Sequence, residues 1–490
     1  MNCDVLVVGG GINGAGIARD AAGRGLSVVL LERGDLGEAT SSASSKLIHG
    51  GLRYLEQFEF RLVAEALAER EVLLRVAGHL TWPIRFVMPH VPELRPRWMI
   101  RAGLFLYDHL ARRSVLPGSA SVRLDGVRYG EGLDARFTHG FVYSDCRVDD
   151  ARLVVANAVD AHSRGAAVLV GTALRAARRA GDRWHVELSD GRTLEARALV
   201  NAAGPWVRQV LDHHVEGHRT RDRIRLVWGS HIVFPRLYRG EHAFILQNDD
   251  RRVVFMIPFE ESFTLVGTTD VGDPRLERPG ASDAEIDYLC RAVNRYLANP
   301  VSRADVRWSF TGVRPLIDDG ERDPSAVSRD YTFRLDDANG SAPLLSVFGG
   351  KITTYRRLAE QALQRLSPYF PGMKGPWTAQ TPLPGSAFES QEECEREVLA
   401  RYPQLPQATV RGVVRRHGAL AAEVLGDGSL GEDFGAGLTE RELRYLVERE
   451  WARTAEDVLW RRTKAGLRMD ARQRARVAER LAELKPERRG

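Results

Sequence analysis

Cysteine is scarce and scattered in this chain. Cys3, Cys146, Cys290 and Cys394 form neither a CxxC pair nor a metal-ligand spacing, so a disulfide scaffold and a bound metal are not expected and a reduced, cytosolic setting fits best. No apolar run approaches the roughly 18 residues of a membrane-spanning helix, and no basic stretch leads into an apolar one at the start. The expectation is a protein neither exported nor transmembrane. Internal repeats and low-complexity segments are missing. Basic residues interleaved with aromatics are missing too, so no nucleic acid is expected as a partner. What remains is an ordinary globular composition, 43% hydrophobic and 8% aromatic over 490 residues, long enough for two or three domains. The net charge of +5 is uneven: residues 461–489 carry eleven Lys or Arg against four acids, a balance of +7 that leaves −2 elsewhere. Such a basic tail reads either as a solvated helix face or as an attraction to anionic lipid.

The rest of the chain is organised around residues 4–32, DVLVVGGGINGAGIARDAAGRGLSVVLLE. Two short apolar, β-branched runs flank a small-residue helix pattern, which makes a βαβ unit. Gly9, Gly11 and Gly14 take the three places of a dinucleotide fingerprint: the tight turn, the approach of backbone to pyrophosphate, and close helix–strand packing. Ile12 and Asn13 lie in the same turn, where open N–H groups and the helix dipole favour an anion. Glu32 ends the second run, placed to accept from a ribose hydroxyl, which favours FAD or NAD over NADP. Arg33 beside it is a further candidate contact, although a solvated charge is its plainer reading.

Residues 37–54, GEATSSASSKLIHGGLRY, are too rich in hydroxyls and glycine for a regular strand. Thr40, Ser41, Ser42, Ser44, Ser45, Lys46, Leu47, His49, Gly50 and Gly51 are candidates to hold phosphate and ring edges of a cofactor, or to cap the next helix. Residues 98–110, WMIRAGLFLYDHL, form an apolar segment with basic flanks that is either a core helix or a helix lying in a membrane interface. Residues 226–270 read as short antiparallel strands, and residues 371–384, PGMKGPWTAQTPLP, as a linker into helical texture. That texture predicts helices over 393–401, 410–425, 443–460 and 470–484.

The fingerprint followed by TSSASSKLIHGGLRYL resembles the aerobic, FAD-dependent glycerol-3-phosphate dehydrogenases of bacteria, within the D-amino-acid-oxidase-like flavoprotein superfamily. GSHIV (229–233), TGVRPL (311–316), RDYT (329–332), LLSVFGGKITTYR (344–356), GEDFG (431–435) and EDVLWRRTKAGL (456–467) carry the same resemblance along nearly the whole chain. The fold expected is α/β. A Rossmann-like FAD-binding domain is built from discontinuous segments (about 1–80, 141–222 and 305–372), with an inserted antiparallel β-rich substrate domain (about 81–140 and 223–304). An all-α C-terminal domain (373–490) follows.

The resemblance implies oxidation of sn-glycerol 3-phosphate to dihydroxyacetone phosphate by non-covalent FAD, with electrons passing to a membrane quinone. It places Ala202, Gly204 and Pro205 beside the cofactor; the turn at Gly349 and Gly350 is set to bind the pyrimidine end of the flavin, and Gly312, Arg314, Lys351, Ile352 and Thr353 are further cofactor-binding candidates. Arg314, Arg329, Lys351 and Arg53 are the candidate phosphate anchors, Arg as a fork and Lys as a point charge. His231 is the candidate acceptor of the substrate hydroxyl proton, with His49 as runner-up, and Tyr54 shapes the pocket. Quinone delivery implies peripheral attachment to the inner face of the cell membrane, through residues 98–110, the basic tail or both. A homodimer is possible. Alternatives left open are an oxidase of the same fold that uses oxygen, an amino-acid or amine deaminase, and a flavin-bearing redox sensor or interaction protein.

Overall fold

A computed structural model describes residues 2–112, 115–125, 128–250, 252–318, 330–337 and 340–484. Strand β1 (Asn2–Val8), helix α1 (Ile12–Gly23) and strand β2 (Val28–Glu32) form the expected βαβ unit. β1 lies between β2 and Thr193–Asn201, parallel to both, and the sheet continues in parallel to Leu344–Phe348 on one side and Ala167–Val170 on the other. Alternation along β1 explains its unbroken apolar run. Val5 and Val7 enter the core beneath α1, Asp150–Ser163 and Tyr355–Leu366, whereas Leu6 and Val8 enter the core on the opposite face. A parallel strand covered on both faces has no polar side to show, and each such buried side chain contributes roughly 1.5–3 kcal/mol.

The second sheet is larger. Ile224–Pro235 pairs antiparallel with Phe263–Gly267 and with Trp308–Ile317, and the sheet runs on through Val253–Phe259, Ala243–Gln247, Thr81–Pro89 and His139–Val148. One pairing, Ala243–Gln247 with Thr81–Pro89, is parallel. Helix Asp283–Asn294 covers one face; Phe60–Val76 and Arg97–His109 contribute to the core on the other. The boundaries drawn at residues 141 and 305 put His139–Val148 and Trp308–Ile317 with the FAD-binding segments, yet both strands pair in this second sheet. The helix that follows the first of them, Asp150–Ser163, does belong to the FAD layer, so a strand–turn–helix texture imitates a βα unit there. Only pairing separates the two cases.

The C-terminal part is helical apart from a two-stranded ribbon, Asp433–Gly435 with Leu438–Thr439. Two predicted helices are interrupted. Residues 410–425 break at Gly418, whose φ of 56° ends Gln407–His417. Residues 443–460 break after Glu440–Glu450 at Trp451, φ 55°, and resume as a π-helical turn, Asp457–Arg462. The expected linker is packed down: Trp377 sits against Gly23 and donates to the Asp20 carbonyl at 3.2 Å, and Leu383 is buried.

The basic tail is also corrected. Arg461 and Arg462 are buried and both bind the Asp35 carboxylate, at 2.6 and 2.7 Å, while Lys464 is buried on Asp149. Arg476 and Arg480 pair with Glu432 and Glu440. The first part of the tail is thus an internal lock between the helical region and the FAD layer. Breaking such a pair from one side costs roughly 3–5 kcal/mol, because the other charge stays buried. Lys485, Arg488 and Arg489 lie outside the described residues.

Candidate active site

The glycine turn has the shape its spacing predicts. Gly9 adopts φ 108°, and a β-carbon there would lie 2.6 Å from the Ala202 carbonyl oxygen; one at Gly14 would lie 1.8 Å from the Gly9 carbonyl oxygen. Strand, turn and helix can close only without side chains at these two places. The N-cap of α1 is Gly11 and its first turn holds no acidic side chain, so the positive end of the dipole is left for an external anion. Ser41 Oγ accepts from the Ile12 N–H at 3.0 Å and brings the hydroxyl-rich loop against that turn. The Glu32 carboxylate accepts from the Gly10 and Gly34 N–H groups, each at 2.8 Å, which fixes the acid at the end of β2. Burial pushes its pKa up.

The loop from Thr40 to Gly51 is held from three sides. The Thr40 hydroxyl donates to the Val313 carbonyl at 2.6 Å, and a β-carbon on Gly312 would lie 2.8 Å from the Ala43 carbonyl oxygen. Ser44 and Lys46 turn inward to Asp150: the Lys46 ammonium bonds both carboxylate oxygens, at 2.8 and 2.9 Å, and the Ser42 carbonyl at 2.8 Å. Their side chains serve the anchoring of the loop. Leu47 is core, and the Gly50 N–H donates to Tyr107, itself bonded to buried Asp145. Asn13 reaches across to the second glycine turn, donating to the Gly349 carbonyl at 3.1 Å and lying under Gly350.

His231 is buried on Ile224–Pro235, with Nε2 2.9 Å from Ser45 Oγ and its ring stacked on Phe310 at 4.9 Å and 12°. Its cross-strand partner is Gly267, where a β-carbon would lie 2.1 Å from the imidazole. Burial, and after it the Arg314 and Lys46 charges, holds its pKa well below the usual histidine value, so the imidazole is neutral. Arg314 stands on the adjoining Trp308–Ile317 strand, paired with Asp270, with Nη2 3.0 Å from where a Gly229 β-carbon would be. Lys351 lies over the Tyr54 ring at 3.9 Å, and the His49 N–H donates to Thr353 Oγ1 at 3.4 Å. Tyr54 follows Arg53 in the short turn Leu52–Gln57.

The structure therefore gathers the glycine turns, the hydroxyl loop, Ala202, His231, Gly312, Arg314, Lys351, Tyr54 and His49 where the two sheets meet. Arg33 stays at the surface, half exposed, with its guanidinium 4.3 Å from the Trp206 ring. Ile352 packs on the helix-side core, and Gly204 has φ 53° with open space beside it, ahead of buried Pro205. Arg329 lies outside the described residues. Sequence reading missed Phe310, Ser45 as the partner of His231, and Asp270. Ser45 falls inside the quoted loop, Phe310 stands immediately before TGVRPL and Asp270 ends the 226–270 stretch; the signal that joins Phe310 to His231 is the strand register, which pairs them directly.

The residues present suit a bound dinucleotide, and two buried atoms, Asn13 Oδ1 and His231 Nδ1, have no hydrogen-bond partner among the described residues. The model of FAD dependent oxidoreductases matches residues 4–356, and that of the C-terminal domain of alpha-glycerophosphate oxidase matches residues 376–488. The chain belongs to the FAD-dependent oxidoreductase family. This oxidoreductase is 51% identical over 500 residues to the aerobic glycerol-3-phosphate dehydrogenase of Escherichia coli (strain K12), covering 99% of this chain and 98% of that one. It is also 51% identical over 489 residues to the D-erythritol 1-phosphate dehydrogenase of Brucella abortus (strain 2308), covering 97% of each. Among solved structures it resembles the glycerol-3-phosphate dehydrogenase from Bacillus halodurans complexed with FAD. The TM-score is 0.73 at 26% identity, over 99% of this chain and 95% of that one.

Proposed function

We propose that this oxidoreductase converts sn-glycerol 3-phosphate to dihydroxyacetone phosphate and passes the electrons to a membrane quinone. The observation that carries the reading is the 51% identity, along 99% of the chain, to a glycerol-3-phosphate dehydrogenase. Bound FAD supplies the two-electron acceptor for the hydride leaving C2. The chain supplies the rest. Arg314, Lys351 and Arg53 hold the phosphate so that C2–H faces the flavin. His231, buried and neutral, takes the proton of the C2 hydroxyl as the carbonyl forms; His49 is the second candidate for that role. The turns at Gly11 and Gly350 hold the pyrophosphate and the pyrimidine edge through backbone N–H groups.

The Brucella relative's name, D-erythritol 1-phosphate dehydrogenase, makes a second substrate worth an arm in the same experiment, since both esters join a phosphate to an oxidisable secondary alcohol. In an anaerobic titration followed by flavin absorbance, sn-glycerol 3-phosphate is expected to bleach the protein at about one equivalent, and glycerol is not. Bleaching by D-erythritol 1-phosphate alone moves the substrate to the longer ester, and bleaching by neither phosphate ester overturns the reading. Under air, stoichiometric hydrogen peroxide identifies an oxidase instead.

The route to the membrane is a surface patch. Among the described residues no helix is long and apolar enough to cross a membrane. Helix Arg97–His109 buries Ile100, Leu104 and Tyr107 but turns Trp98, Met99, Phe105 and Leu106 outward, 70%, 46%, 60% and 38% exposed. The core-helix reading describes the buried face, and the outward face is the part to which the interfacial reading applies. Phe58 and Phe60 are exposed beside it, and an Arg95–Glu56 ion pair at 2.7 Å ties the two segments. Apolar side chains rimmed by Arg95, Arg97 and Arg101 suit insertion into a headgroup layer. Binding to vesicles containing anionic lipid is expected to survive high salt and to fall at least about tenfold when Phe58, Trp98 and Phe105 are all changed to Ser. Full release by salt would assign attachment to charge alone.

A further inference from the structure

We propose that the C-terminal helical region positions His231, through a stack of four rings that begins at Trp460; the proposal rests on the reading of His231 as the proton acceptor. Trp460 stacks on Trp308 with centroids 4.9 Å apart and planes at 25°. Trp308 meets Phe310 at 4.8 Å and 40°, and Phe310 stacks on His231 at 4.9 Å and 12°. Trp308 and Phe310 are two apart on one strand and so share a face. Phe310 is the register partner of His231, and Trp308 that of Val233. The column therefore runs from the C-terminal part, across the edge of the substrate sheet, to the imidazole.

The far end of the column is fixed by a dense set of contacts. Trp460 lies in the π-helical turn Asp457–Arg462, a geometry that recurs at functional places in helices. Its neighbours Arg461 and Arg462 bind Asp35, three residues past Glu32. A β-carbon on Gly466 would lie 2.9 Å from the Trp460 ring, so glycine there makes room for the indole. Lys464, four residues on, binds Asp149. The adjacent Asp150 holds Ser44 and Lys46, the two neighbours of Ser45, which is the hydrogen-bond partner of His231 Nε2. One C-terminal segment thus reaches the same imidazole by two routes, one through rings and one through carboxylates.

The imidazole needs such support. With a bond at Nε2 and none at Nδ1 among the described residues, a single hydrogen bond leaves the ring free to pivot about it. The flat contact with Phe310 stops the pivot, and Trp308 and Trp460 stop Phe310 from yielding. Trp460 is placed by its stack on Trp308 and by the room left at Gly466, neither of them a cofactor turn or a phosphate anchor, so it is a positioning residue whose loss is felt in the rate and not in substrate affinity.

The test is the anaerobic rate of flavin reduction by sn-glycerol 3-phosphate in FAD-loaded protein. Trp460→Leu is expected to lower the saturating rate roughly tenfold, with the substrate dissociation constant changed less than about twofold, because small misplacement of a reacting group costs rate. Trp460→Phe, which keeps a ring in the stack, restores most of the rate. In a His231→Asn background, Trp460→Leu produces no further loss. An unchanged rate in Trp460→Leu overturns the proposal, and so do equal losses in both backgrounds. A full rate in His231→Asn alone overturns the base reading, and the coupling with it. If Trp460→Leu does not retain FAD, Trp308→Leu is read by the same criteria from inside the substrate sheet.

Discussion

Changing His231 to Asn is expected to slow flavin reduction at saturating substrate by about 10²–10⁴-fold, with bound FAD and substrate affinity retained. Asn keeps a polar group near Ser45 and removes the basic nitrogen, so the loss isolates proton transfer. The pH dependence follows from the environment of the ring. Burial is the largest cause of its lowered pKa, and the charges of Arg314 and Lys46 add to it. A buried histidine with a depressed folded-state pKa is already neutral at the pH where an exposed one is half protonated. The acid limb of kcat/KM assigned to it therefore lies well below 6.5, and a limb at or above that value would count against His231 as the base. The same shift sets a sign for stability. Between the folded-state pKa and 6.5 the unfolded chain binds more protons at this site, so its contribution favours unfolding as pH falls through that window and vanishes above it.

How far the sequence reveals this site depends on the range of the contacts. β1, α1 and β2 are legible because strand burial, helix spacing and three glycines are all local signals, and the second glycine turn at Gly349 and Gly350 is legible for the same reason. The fate of charged residues is not. Arg461, Arg462 and Lys464 count as a basic tail in any running sum, yet their partners Asp35 and Asp149 lie more than three hundred positions away. Ser44 and Lys46 look like cofactor contacts because they sit in a loop dense in hydroxyls and glycine; their commitment to Asp150 appears only when a helix from a distant segment packs beneath. Nothing local in the sequence joins Trp460 to Trp308. Their stack exists because a π-helical turn, which no periodicity announces, aims one indole at the edge of another sheet. Residues 98–110 posed the converse difficulty: their apolar count is high, but only packing shows which side chains face outward.

Gly14→Ala is expected to yield protein without FAD and to destabilise the fold by about 3 kcal/mol or more. The added methyl would lie 1.8 Å from the Gly9 carbonyl oxygen and 3.4 Å from Val7. Gly9 cannot retreat, since it already adopts φ 108° with its own side-chain direction closed by the Ala202 carbonyl. Overpacking against side chains typically costs 1–3 kcal/mol; here the obstacle is backbone on both sides, so α1 must lift from the sheet and take its N-terminal N–H groups out of line. Gly11→Ala is the control that separates packing from cofactor approach. Its methyl meets only Ser41 Oγ, at 3.2 Å, at the N-cap of α1, the place the fingerprint assigns to the approach of pyrophosphate. It should leave the thermal unfolding of the flavin-free protein nearly unchanged while weakening FAD retention. Flavin absorbance per chain and unfolding of the apoprotein, measured on both variants, distinguish the two effects. Full FAD occupancy in Gly14→Ala would mean that the turn does not close against Gly9 as described, whereas equal destabilisation by both changes would mean that Gly11 serves packing and not the approach of the anion.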